Sequence, residues 1–223
     1  LQKTVPTPAF HRVVVDVLWW QDFRSTFTGS DFILGFYQGK ITVPLAGAPS
    51  WAPPIVAIIT HELTHAMIAQ ATNDQAPNWF HEGLAKRAEM SEFHANAFNM
   101  YEDDKLLSVS LLDAVLRGSP DPDMIQETYI EAQTIIRFIE ATYGPSGVPK
   151  MLTLFRQGAT TAEAIFRLSG LTMPAFDIKL RAWGRSGAKV FDNPPPVRYD
   201  LDEDSMRWSR QSAIVTKASR SGS

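Results

Sequence analysis

The sequence predicts an α+β fold: a small N-terminal sheet of antiparallel type with one long apolar helix, then a helical C-terminal lobe, with a cleft between them. Three observations predict it. Runs of β-branched and aromatic residues fall before residue 46, a charge-poor stretch of helix formers follows the Pro53 and Pro54 pair, and beyond residue 106 apolar residues recur at helical spacing. A chain of 223 residues can build one catalytic domain of two lobes. The expected division is 1–95 for the α+β lobe, 96–187 for the helical lobe and 188–223 for a tail.

Residues 11–19 (HRVVVDVLW) read as a buried strand. Residues 21–32 mix polar and aromatic side chains without a clean period and are expected as loop or short helix. Residues 36–45 (FYQGKITVPL) place β-formers on either side of Gly39, and Pro44 points to an edge strand because it has no N–H for the ladder. Pro53 and Pro54 suit the first turn of a helix over 55–71, whose few charges predict that it is largely buried. Residues 73–78 (NDQAPN) supply a turn, and a second helix from about Trp79 to Phe93 completes an αα-hairpin. Helices are predicted over 109–116, 124–142, 148–157, 162–168 and 173–183, separated by glycines and prolines at 118, 120, 144, 145, 158 and 170. Three prolines at 194–196 and a serine-rich end predict a solvated tail.

Composition removes several function classes. A formal net charge of -3 offers no basic field for phosphate backbones, so nucleic acid is not an expected partner. With no cysteine, any metal must be held by His, Asp or Glu. The apolar run at 55–59 is far short of the roughly 20 residues that span a bilayer, so no transmembrane segment is expected. The first residue is Leu1 and cysteine is absent, both compatible with an exported protein; neither assigns a location.

The chemistry concentrates in His61-Glu62-Leu63-Thr64-His65, an H-E-x-x-H pattern on the first long predicted helix. Four-residue spacing sets the two imidazoles roughly 40° apart on one face, so both can reach one ion. Glu62 lies about 100° further round, where it can approach a water without being a ligand, the geometry of a general base. The flanking residues are uncharged, and a carboxylate appears at Glu82 on the next predicted helix.

Residues 78–85 (NWFHEGLA) resemble the segment that gluzincin metallopeptidases carry after H-E-x-x-H, where W-x-x-E-G-[LF]-A supplies the third zinc ligand. The compact chain is most similar to the minigluzincins, a peptidase-MA-like family. That resemblance implies a thermolysin-like catalytic core, His61, His65 and Glu82 as zinc ligands, and Glu62 as the general base. It also implies a peptidase acting on peptide or protein substrates, with an endopeptidase favoured and endo- versus exopeptidase action left open. Residues 129–144 (YIEAQTIIRFIEATYG) look like the helical half of the family. Many gluzincins add a Tyr or His that hydrogen-bonds the oxyanion. Tyr129 is the candidate for that catalytic role, with Tyr101 and Tyr143 as rivals. Thermolysin-like enzymes place a carboxylate one turn after the third ligand to orient a zinc-bound imidazole. Lys86 stands there instead, and Glu89 can substitute only if the geometry differs.

His81 adjoins the proposed ligand Glu82 and His94 lies beyond the predicted helix end, so neither is expected to bind metal. His11 has no assigned role. Two other readings use the same residues: a latent or non-catalytic metal-containing module that binds a peptide or protein, and a metallohydrolase that is not a peptidase. The tail or the N-terminal segment could also lie across the cleft as a plug. Oligomeric state is left open.

Overall fold

The computed structural model describes residues 13–26, 34–46, 54–89, 106–117 and 122–186. Tyr101, His94, His11 and the expected tail lie outside these. Among the described residues, three strands and eight helices follow in the order β1 (Val15–Trp19), α1 (Trp20–Thr26), β2 (Phe36–Tyr37), β3 (Ile41–Ala46), α2 (Ile55–Thr72), α3 (Asn78–Ala88), α4 (Val109–Arg117), α5 (Pro122–Tyr143), α6 (Gly147–Arg156), α7 (Thr161–Ser169) and α8 (Met173–Arg185). The fold is mixed α+β, mostly helical with one small sheet.

The sheet departs from the sequence expectation in two ways. It is mixed, not antiparallel: β1 pairs with β3 in parallel, and β2 pairs with β3 antiparallel, in the order β1-β3-β2. A parallel pair needs a crossover, and α1 lies within it. The run 36–45 is also not one edge strand. Gly39, at φ 75°, turns it into a hairpin, so β3 becomes the central strand and β2 an edge. Pro44 is tolerated in β3 for a geometric reason. The Ile41 N–H points at the Val14 carbonyl on the β1 side, at 2.8 Å, so by alternation position 44 faces the β2 side, past the end of β2.

Alternation also sorts the faces of β3. Ile41 and Val43 pack with Ile58 of α2, while fully buried Phe23 of α1 meets Phe36, the neighbour of Thr42, at 6.1 Å between ring centroids. The sheet is therefore sandwiched between α1 and α2. The helix α2 is buried or half-buried along its length except at Val56 and Leu63, which are exposed. Asn73 and Asp74, both in the left-handed conformation that these residues tolerate, reverse the chain into α3.

Helices α3 to α8 share one large core. Trp79 and Phe80 of α3 and Phe155 of α6 form an aromatic cluster, with Phe80 and Phe155 edge to face at 5.0 Å. Phe138 of α5 stacks edge to face on Phe176 of α8 at 5.2 Å. Ile68 brings the C-terminal half of α2 into the same core, so α2 belongs to both halves of the molecule. None of the described helices is long and apolar enough to cross a membrane.

Candidate metal centre

The site is built by anchoring α3 against α2. Trp79 fixes the start of α3: its backbone N–H donates to Asp113 of α4 at 3.4 Å and its indole N–H to Thr161 of α7 at 3.3 Å. Gly83 then brings α3 against α5. A Cβ at that position would sit 2.5 Å from the Ala132 carbonyl oxygen and 2.8 Å from Ile136, so only a bare Cα permits this approach. Further along, Gln133 donates to the Lys86 carbonyl at 3.4 Å and Arg87 pairs with Glu140 at 3.2 Å. Glu82, next to the Gly83 contact, is thereby held on a helix that has little freedom to move.

His61, His65 and Glu82 meet there. One ligand atom from each lies within 4.8 Å of the others. The two Nε2 atoms are 2.9 Å apart, and Glu82 Oε2 is 3.4 Å from His61 Nε2 while Oε1 is 3.8 Å from His65 Nε2. Tetrahedral bonds of about 2.0–2.1 Å would separate two such nitrogens by roughly 3.3 Å, so a slight opening accommodates an ion. Glu82 Oε2 is buried with no hydrogen-bond partner, an uncommon and unfavourable condition for a carboxylate. Two imidazole nitrogens and an orphaned carboxylate oxygen facing one point fit a divalent cation. Burial works against charge on His61, but Glu82 and Glu89 outweigh it and raise its pKa to about 9; burial lowers that of His65 to about 4.

Each imidazole is also held from behind, by residues outside the ligand set. His61 Nδ1 donates to Glu89 Oε1. A carboxylate only accepts, so Nδ1 carries the hydrogen and Nε2 keeps its lone pair for an ion. Lys86 grips both oxygens of Glu89, at 3.0 and 3.2 Å, and its ammonium also lies 5.5 Å from the Tyr129 ring centroid. Lys86 thus occupies the position where thermolysin-like enzymes carry the orienting carboxylate, while Glu89 reaches His61 from three residues further on. The signal for this was in the sequence: Glu82, Lys86 and Glu89 follow i, i+4, i+7 spacing and share one face of α3. His81 Nδ1 lies 3.3 Å from His65 Nδ1, a contact that adjacency in sequence to Glu82 did not suggest.

Glu62 and Tyr129 border the same space. Burial pushes the Glu62 carboxyl up to about 7, with His61 and Lys86 opposing and Glu82 and Glu89 reinforcing the rise. The Tyr129 ring centroid is 6.5 Å from that of His61, and burial together with Glu82, Glu62 and Glu89 pushes its hydroxyl up, so it stays a donor. Of the rivals, Tyr143 ends α5 and packs edge to face on Phe138, with no contact to the metal ligands.

A pair of histidines one turn apart on a helix, joined by a carboxylate from the next helix, is a donor set of the metallohydrolase class. The family comparison makes this narrower: residues 43–185 match the family model of the Peptidase MA superfamily. That stretch is more than half of the chain, spans β3 to α8 and includes every residue of the centre, so the chain belongs to the Peptidase MA superfamily, a group of metallopeptidases. No curated protein and no solved structure matches it.

Proposed function

We propose that the chain is a zinc-dependent endopeptidase of the gluzincin type, similar to the minigluzincins, with His61, His65 and Glu82 as ligands. The observation that carries this reading is the convergence of the two Nε2 atoms on the orphaned Glu82 oxygen within a family of metallopeptidases. His61, His65 and Glu82 would hold the zinc ion, which would supply Lewis acidity to a scissile carbonyl and to a water beside it. Glu62 takes a proton from the attacking water at its carboxylate and passes it to the leaving amine nitrogen. Tyr129 donates its hydroxyl hydrogen to the oxygen that gains charge as the carbonyl is attacked.

Substrate backbone adds to the sheet at β2. The outer edge of β2 is unpaired among the described residues, and the residue preceding it, Gly35, lies against Glu62. This puts an extended peptide within reach of the base and favours peptide and protein substrates over small esters or amides.

The test is metal content of the purified chain together with cleavage of a broad peptide library, for the native protein and Glu62→Gln. One equivalent of zinc in both, with turnover only in the native protein, supports the peptidase. Zinc in both with no cleavage favours a latent or binding role, and cleavage of other amides alone favours a different metallohydrolase. Failure to take up zinc on reconstitution overturns the ligand assignment.

A further inference from the structure

Two glycines meet neighbours too closely for a side chain, and they differ in what they meet. Gly83 faces backbone: the Ala132 carbonyl cannot move without shifting α5. Gly35 faces side chains. A Cβ there would sit 2.9 Å from Glu62 Oε1, 3.0 Å from Glu62 Cγ and 2.9 Å from Ile58 Cγ2. Real Cβ atoms do not approach that closely, so any residue but glycine must displace something. Glu62 Oε1 is the end of a flexible side chain and is the group most able to move, whereas Ile58 Cγ2 belongs to a buried, β-branched core residue that yields little. The group that moves is also the carboxylate assigned as the base.

We infer that Gly35 is a positioning residue for the reaction: its bare Cα forms the wall that sets where the Glu62 carboxylate rests. The inference rests on the reading of Glu62 as the base. Glu62 is only 5% exposed, and Glu82 and Glu89 place negative charge near it, so it has few other resting places and none free of cost. A substitution at 35 therefore drives Glu62 from its position, and the Ile58 contact adds a small packing strain in the sheet core. Fold stability registers that change less than turnover does, because a displacement of about 1 Å at a reacting group can cost up to about a hundredfold in rate.

The experiment compares Gly35→Ala, Glu62→Asp and the double variant with the native chain, each reconstituted with zinc. Glu62→Asp withdraws the carboxylate by one methylene and takes it out of reach of the wall. Expected for Gly35→Ala are one zinc per chain, a Tm within about 3 °C of native, KM within about twofold and kcat lowered about 10- to 100-fold. Adding Gly35→Ala to Glu62→Asp should change kcat by less than about twofold. In the metal-free chain, Gly35→Ala should move the Glu62 carboxyl carbon resonance and leave the ring resonances of His61 and His65 in place. Native kcat in Gly35→Ala, an equal loss in both backgrounds, an unmoved Glu62 resonance, or loss of folding in Gly35→Ala overturns the inference. If native protein and Glu62→Gln cleave alike, the reading of the base fails instead, and the resonance still tests the contact.

Discussion

The helical half and the sheet half are built to different standards, and the metal centre draws on both. Among the described residues the helical core joins nineteen buried side chains, rich in large aromatics, whereas the sheet core joins only Ile41, Val43 and Ile58. The helical half carries Glu82, with Glu89 and Lys86 behind it. The sheet half carries the wall against Glu62. A ligand must be held to a fraction of an ångström, and a dense core with a glycine-tight helix contact achieves that. The base needs only the right resting place, which a thin wall provides. Changes on the helical side should therefore show in stability and metal affinity, and changes on the sheet side mainly in turnover.

Four experiments probe that division, in falling order of effect. Glu62→Gln should lower turnover about a thousandfold or more while zinc stoichiometry and Tm stay near native; a comparable loss of zinc would mean that Glu62 is a ligand. Gly83→Ala should destabilise the fold by about 2–3 kcal/mol, since the added methyl meets the Ala132 backbone, and denaturant unfolding checks this. A native midpoint there would remove the contrast with Gly35. Glu89→Gln should weaken zinc binding about 10- to 100-fold in competition with a chelator, because the amide holds His61 less firmly, with a smaller change in Tm. An unchanged affinity would reduce Glu89 to a surface for Lys86.

The smallest effect concerns pH, away from the metal. Glu131 of α5 is buried and accepts from the Leu107 N–H at 3.2 Å. Burial pushes its pKa from 4.5 up to about 8, with Leu107 and Arg181 opposing and Glu127 adding. The native state then holds a proton that the unfolded chain has lost, so this contribution is full below pH 4.5 and fades as pH rises through 8. Native Tm should drop more between pH 5.5 and 8.5 than that of Glu131→Gln; equal drops would show that Glu131 ionises without cost.

Much of the helical half was legible because its punctuation is local. Gly144, Gly158 and Gly170 stand at the ends of α5, α6 and α7 with positive φ, and the predicted helices match the observed ones to within two residues at most ends. The sheet was less legible, because parallel pairing of β1 with β3 depends on a crossover and not on either strand alone. The H-E-x-x-H helix and Glu82 could be found by spacing, and the structure brings them together with Glu62 and Tyr129. Glu89 could be named only as a conditional substitute, because a carboxylate seven residues after the ligand, in place of four, reaches His61 only in the geometry that the fold supplies. Gly35 carried no signal at all, since its importance lies in a tertiary approach to a residue 27 positions away.

Anomalous diffraction at the zinc edge from crystals of the zinc-loaded chain tests the central assignment most directly. The expected map has one strong peak bonded at about 2.0–2.2 Å to His61 Nε2, His65 Nε2 and a Glu82 oxygen, with the Glu62 carboxylate outside bonding distance. A peak that binds Glu62 in place of Glu82, or no peak between these side chains at saturating zinc, would contradict it.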